Sequence, residues 1–216
     1  VTRFDAIVFD FDGVLVESVE VKTRAFAALY GPYGAGIVEQ VVAFHQENGG
    51  MSRHRKFRYF HETLLGLPLS SAEEERLAAE FSALVEESVV AAPWVAGAHE
   101  FLLMHHASLP LFVASGTPDK ELKRILQKRR MSPYFRAVFG SPANKGDILR
   151  GILEDGGYQP EKVLMVGDSL LDIEGAREAG TCFLGRLTPP CNIFPSDVPI
   201  LPNLVGLRKF INDFER

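Results

Sequence analysis

The stretch "DAIVFDFDGVLVES", residues 5 to 18, decides how the chain folds. Residues 5 to 10 form a short, nearly continuous apolar run, the pattern of a strand buried on both faces of a sheet. Asp10 and Asp12 then stand one residue apart where that strand ends. In extended chain, residues i and i+2 point to the same side, so the two carboxylates project together. Such a pair is costly unless a cation or a shared proton relieves it. These residues alone leave a second reading open, a strand ending in an Asp-Gly turn with Gly13 supplying a positive φ.

Working outward, residues 18 to 92 hold helical signals and no strand candidate. Val21, Ala25, Phe26 and Leu29 recur at helical spacing until "GPYGAG" interrupts them. Ile37, Val38, Val41 and Val42 follow, then Phe57, Phe60 and Leu64, then Leu77, Phe81, Leu84, Val85 and Val89. Beyond Pro93 the period changes. "LPLFVAS" (109–115), "RAVFGS" (136–141), "KVLMVGDS" (162–169) and "TCFLG" (181–185) read as strands, with amphipathic helices between them. This alternation predicts an α/β fold, a doubly wound, Rossmann-like parallel sheet core from residues 1–17 and 93–216. An α-helical domain, residues 18–92, is inserted after the first strand. "RLTPPCNIFPSDVPILPN" (186–203) reads as a Pro-rich loop before a last helix carrying Leu204, Leu207, Phe210, Ile211 and Phe214.

Composition excludes several function classes. The chain has 216 residues, 46% of them hydrophobic, and a formal net charge of −5. That balance is ordinary for a globular protein and lacks the basic surface that non-specific nucleic-acid binding needs. There is no apolar run long enough to span a bilayer, and the first residues show no charged and apolar leader. Cys182 and Cys191 form no ligand spacing or disulfide framework. The expectation is a cytoplasmic protein, monomer or homodimer, acting on a small molecule.

Ligands of open α/β sheets bind at the carboxyl ends of the strands. Polar residues gather at that end on one strand after another: Asp10 and Asp12, then Ser115 with Gly116 and Thr117, then Lys145, then Asp168 and Asp172. Each has a plain structural reading. Thr117-Pro118 suits the start of a helix, with Thr117 as N-cap, and Asn144 suits another cap. Gly116 and Thr117 could also offer donors to a phosphate, although the helix-start reading is favoured.

Taken in order, Asp10-Phe11-Asp12-Gly13-Val14, Ser115, Lys145 and Gly167-Asp168 with Asp172 resemble the four motifs of the haloacid dehalogenase superfamily of phosphohydrolases. The resemblance covers nearly the whole chain, because the helical insert stands where that family places its cap. It implies that Asp10 attacks phosphorus to form an aspartyl-phosphate and that Asp12 acts as general acid and then base. It implies Mg²⁺ held by the Asp10 carboxylate, the Asp12 main-chain carbonyl and Asp168, with Asp172 orienting that shell or joining it. Ser115 would hydrogen-bond a phosphoryl oxygen, and Lys145 would neutralise that oxygen and Asp10. Four aspartates, Lys145 and Mg²⁺ leave one negative charge. A phosphate dianion then needs either a protonated Asp12 or a further cation.

Within the superfamily, dehalogenases lack the second aspartate of the first motif, and phosphonatases have Ala there with a Schiff-base lysine in the cap. β-Phosphoglucomutase shares the Asp pair and the cap but has a histidine in the cap linker where this chain has Lys22. A lysine hinders the mutase's gating of Asp12, which favours a phosphatase. A phosphomutase and a non-catalytic phosphate-binding protein on the same scaffold are the alternatives. Receiver domains of signalling proteins share an acidic pair, but not the insert or the Asp-x-Asp-Gly motif.

In the insert, "GGMSRHRKF" (49–57) resembles the Gly-x-Ser-Arg substrate loop of relatives with helical caps. Gly49, Gly50, Ser52 and Arg53 are read as an anion site at a helix start, within a basic run that includes Arg55, Lys56 and Arg58. That suits a substrate with a second anionic group, a sugar acid phosphate or a bisphosphate. The alternative is a Ser52 N-cap with solvated arginines.

Overall fold

A computed structural model describes residues 3–187 and 193–213. Six strands form one parallel sheet: β1 (Ala6–Phe9), β2 (Leu111–Pro118), β3 (Ala137–Ser141), β4 (Val163–Gly167), β5 (Cys182–Arg186) and β6 (Ile200–Leu201). Their spatial order is β3-β2-β1-β4-β5-β6, so the winding reverses between β1 and β4. Both faces are covered, which is why these strands read as apolar runs without alternation. Ala6, Val8, Ala114 and Met165 face α7 (Lys145–Gly156) and α8 (Leu170–Ala179) through Leu149, Ile152 and Ala176. The alternate residues, Ile7, Phe9, Val113 and Val166, face α5 (Ala98–His105), α6 (Asp119–Lys128) and α9 (Leu207–Asp213).

Between β1 and α5 the chain builds the insert from α1 (Val19–Tyr30), α2 (Ala35–Glu47), α3 (Arg53–Tyr59) and α4 (Ser71–Ala91). One π-helical turn, Phe60–Leu65, continues α3. The stripes read from sequence meet in an aromatic centre, where Phe26 packs edge-on against Phe57 and Phe60 and tilted against Phe81. The two linkers to the sheet are bonded to each other, Glu17 N–H to the Pro93 carbonyl and Val95 N–H to the Leu15 carbonyl, both at 3.0 Å. The insert therefore leaves and rejoins the sheet at one place.

Two local expectations are corrected. Thr117 is not an N-cap: β2 runs on through Pro118, which pairs with Ser141, and α6 starts at Asp119. The extension is held because the Asp119 carboxylate accepts the Gly140 N–H at 3.1 Å. The segment 186–203 is not all loop, since Ile200–Leu201 adds β6 to the sheet edge. Two residues between Pro199 and Pro202 carry no readable strand period. Cys182 is buried and free, whereas Cys191 and Phe214 lie outside the described residues. No helix among the described residues is long and apolar enough to cross a membrane.

Phe60 is fully buried and touches Phe26, Tyr30, Phe44 and Tyr59. Phe60→Ala should cost about 3–5 kcal/mol, the usual range for emptying such a site. Urea unfolding followed by tryptophan fluorescence and circular dichroism measures it; a loss under about 1 kcal/mol would mean the insert collapses around the gap.

Candidate active site

The reversal of winding brings the ends of β1 and β4 side by side, and the Asp10 N–H joins them through the Val166 carbonyl at 2.9 Å. Asp10 follows β1 directly and is buried. Its Oδ1 accepts the Phe11 N–H at 2.6 Å and lies 3.0 Å from Lys145 Nζ. Lys145 is the first residue of α7, whose start is capped by Asn144, as expected, through the Asp147 N–H at 2.8 Å. From there Nζ also reaches Asp172 Oδ1 at 2.7 Å and the Ala114 carbonyl at 2.5 Å. Asp172 is fixed in turn by a capping box with Ser169, and its Oδ2 accepts the N–H groups of Asp168 and Ser169 and the Ser169 hydroxyl.

Asp12 stands opposite. Its Oδ1 accepts the Ser18 hydroxyl at 2.6 Å; its Oδ2 accepts the Thr117 hydroxyl at 3.0 Å and pairs with the Lys22 ammonium. Lys22 also donates to Thr117 Oγ1 at 2.8 Å. The turn that carries Asp12 depends on Gly13, at φ +75°, where a Cβ would stand 2.0 Å from Asp168 Oδ2. Ser115, buried within β2, accepts the Thr117 N–H at 3.1 Å through its hydroxyl oxygen.

The electrostatics point to a missing positive charge. Asp10, Asp168 and Asp172 each offer one oxygen within 4.8 Å of the others. Burial pushes Asp10 up to about 7, with Asp172 and Asp12 adding to it against Lys145. Burial raises Asp168 well above the usual carboxylate range too, and Asp10 and Asp172 add to that. Lys145 goes the other way: burial alone would lower it, but Asp10 and Asp172 hold it raised. Counting Asp12 and its partner Lys22, four carboxylates face two ammonium groups. Two negative charges remain, which one divalent cation would balance. Clustered carboxylate oxygens are also the donors that Mg²⁺ prefers. The residues present therefore fit such an ion, with Asp10 and Asp168 as side-chain ligands. Asp172 has its oxygens engaged by Lys145 and the start of α8, which suits an orienting role.

Asp12 has its ionised form favoured. Burial would raise its pKa, but the Lys22 ammonium and the hydrogen bonds from Lys22, Ser18 and Thr117 outweigh it and leave the value lowered. Lys22 is thus a second ammonium at the rim, beside Lys145.

A cavity of about 670 Å³ opens between this rim and the insert, and Asp10, Asp12, Lys22, Ser115, Gly116, Thr117 and Asp168 line it. The insert closes over it tightly. A Cβ on Gly116 would meet the Gly50 carbonyl oxygen at 2.3 Å, so the 49–51 turn rests on the C-terminal half of β2. Arg53 lines the cavity too, but its charge already has a partner within the protein. Its guanidinium is buried in a two-pronged pair with Glu121 of α6, at 2.9 and 2.5 Å, and donates to Ser82 of α4 at 2.6 Å. Glu121 occupies the fork that a substrate anion was expected to fill. Ser52 neither lines the cavity nor caps α3 with its side chain. Sequence reasoning missed Ser18 and Glu121. The available signal for Glu121 was a carboxylate on the buried stripe of α6, beside Leu122, Ile125 and Leu126.

A family model for haloacid dehalogenase-like hydrolases matches residues 4–180. "Phosphorylated carbohydrates phosphatase" of Thermotoga maritima is 27% identical over 181 residues, covering 82% of each chain. "Tyrosine-protein kinase PtkA" of Mycobacterium tuberculosis is 26% identical over 180 residues, covering 81% of this chain and 59% of the relative. Among solved structures, a predicted phosphoglycolate phosphatase from Haemophilus somnus superposes with a TM-score of 0.75 at 19% identity, over 97% of this chain and 99% of that one. At that identity the likeness concerns the fold.

The Arg53–Glu121 pair is almost fully buried on both sides. Glu121→Leu alone should cost about 3–5 kcal/mol in urea unfolding, because it strands a buried guanidinium. Arg53→Met combined with Glu121→Leu should recover most of that loss. Simple additivity of the two single losses would show that the pair is not coupled.

Proposed function

The chain belongs to the haloacid dehalogenase-like hydrolases, and from that premise we propose that it is a magnesium-dependent phosphatase of a small phosphorylated metabolite, a sugar or sugar-acid phosphate. The observation that carries this reading is the buried Asp10 carboxylate, in contact with Lys145 and within 4.8 Å of the Asp168 and Asp172 oxygens, at the sheet's switch point. The phosphatase named in Thermotoga maritima supports the substrate class.

Asp10 attacks the phosphorus of the ester and forms an aspartyl-phosphate, while the P–O bond to the leaving group breaks. Lys145 steadies Asp10 and the oxygens of the transferred group. Ser115 donates its hydroxyl hydrogen to one of those oxygens. Asp12 protonates the leaving alkoxide; the arriving phosphate brings negative charge that raises its proton affinity against the pull of Lys22. Ionised again, Asp12 takes a proton from the water that attacks the phosphoryl-enzyme, releasing phosphate and freeing Asp10. The Asp10 and Asp168 carboxylates and the Asp12 main-chain carbonyl would hold a magnesium ion, which would supply positive charge to the phosphoryl group. The insert serves as a cap that keeps bulk water out.

Lys22 also separates this reading from a phosphomutase. Its direct pair with Asp12 ties the acid–base residue to the insert's first helix, so no switching of Asp12 between two positions is expected.

Asp10→Asn should abolish hydrolysis of p-nitrophenyl phosphate, and Asp12→Asn should lower kcat for alkyl phosphates by ~10²–10⁴-fold. Substantial turnover by purified Asp10→Asn protein would refute the covalent route. Chelator should remove activity and Mg²⁺ restore it. Because Asp10 is raised to about 7, Mg²⁺ binding should release a proton below that pH and tighten as pH rises through it. Calorimetry in buffers of different ionisation enthalpy reads that proton; pH-independent binding would contradict the assignment of Asp10 as ligand.

A further inference from the structure

The cavity is lined by five basic side chains or imidazoles: Lys22, His45, Arg53 and Lys56 from the insert and Arg186 from β5. Three have a carboxylate provided by the protein: Lys22 has Asp12, Arg53 has Glu121 and Arg186 has Glu17. His45 is held neutral, pushed down to about 2 by burial and by the charges of Lys56 and Lys22. Lys56 is the exception. It is only 2% exposed, yet among the described residues no carboxylate lies within ion-pair distance of it. Its Nζ lies 2.6 Å from His45 Nδ1 and 5.6 Å from the centre of the Phe26 ring. A buried ammonium with no counter-ion is expensive, and proteins rarely keep one without a use.

We infer that the substrate's leaving group carries a second anionic group, a carboxylate or another phosphate, and that Lys56 is the specificity residue that receives it. This rests on the phosphatase reading and deepens it. One continuous cavity joins Lys56 to Asp10, Asp12 and Asp168, so a leaving group bound to the reacting phosphoryl group extends toward it. The second anion expected from sequence thus has its seat one helical turn beyond Arg53, whose own charge is taken by Glu121. The arrangement also couples binding to a proton. Burial, with Lys22 adding to it, brings the Lys56 amine down to about 7, against the opposing charges of Asp12 and Asp168. Those groups and neutral His45 are the titratable and charged neighbours that face it. An arriving anion favours the ammonium, so above that pH binding takes up a proton and weakens as pH rises.

The test compares kcat/KM within pairs of similar size: 2-phosphoglycolate against 2-hydroxyethyl phosphate, 6-phosphogluconate against glucose 6-phosphate, and fructose 1,6-bisphosphate against fructose 6-phosphate. At least one charged member should be preferred by ~10–100-fold, the scale of one charge-assisted hydrogen bond. Which pair shows the preference tells carboxylate from phosphate. Lys56→Met, shown to be folded by its thermal transition, should erase the preference chiefly through KM. The wild-type preference itself should shrink as pH rises through about 7, a ratio in which the titration of the acidic cluster cancels. That measurement decides the matter if Lys56→Met does not fold. Turnover of all six esters without preference, a preference independent of pH, or one that survives in Lys56→Met would overturn the inference and leave the phosphatase reading standing. Absence of Mg²⁺-dependent turnover of p-nitrophenyl phosphate would instead overturn the phosphatase reading.

Discussion

The site depends on one buried ammonium. Lys145 reaches from the first turn of α7 to Asp10 after β1, to Asp172 on α8 and to the Ala114 carbonyl on β2. Three separate elements are thereby tied at the switch point by one charge. Losing it would leave two buried carboxylates facing each other, a change of the kind that costs several kcal/mol. The same contact fixes the rotamer of Asp10 and moderates its raised proton affinity. A carboxylate that is buried, near others and still anchored by a cation is suited to holding a metal and attacking an electron-poor atom. Unanchored, it would simply take up a proton.

A second constraint comes from the insert. Four helices with their own aromatic centre could swing freely on two linkers, yet several contacts seat them on the sheet. Arg53 and Ser82 meet Glu121, and Arg129 donates to the Val89, Val90 and Ala92 carbonyls at the end of α4. The exposed pairs Arg124–Glu86 and Lys128–Glu87 line the same seam, where solvent leaves them little energy. The insert is thus docked along α6, the helix that begins just after Ser115, Gly116 and Thr117. Docking of the insert and the C-terminal end of β2 share one support, so the closed cavity and the residues that line it come together.

Much of this was legible in the sequence because it depends on local order. Strands buried on both faces must be apolar runs, and β1, β2, β3 and β4 were readable for that reason. Asp10, Asp12, Ser115, Lys145, Asp168 and Asp172 were legible because each follows such a run or opens the next helix. What failed was pairing between distant residues. Nothing near Arg53 in sequence announces that Glu121, sixty-eight positions away, will take its fork. Likewise Lys22 was singled out for its position, but its contact with Asp12 and Thr117 needed α1 to be placed over the rim. The role of Thr117 was misread because a strand running through Thr-Pro looks locally like a helix start, and only its pairing with β3 distinguishes them.

The central claim is that Asp10 carries the phosphoryl group. Rapid acid quench during Mg²⁺-dependent turnover, followed by peptide mass spectrometry, tests it most directly. A phosphate on Asp10 is the expected result, found in the peptide that spans the β1 end, lost on treatment with hydroxylamine and absent from Asp10→Asn protein. Turnover at full rate with no phosphorylated peptide trapped, or with the phosphate on another residue, would contradict it.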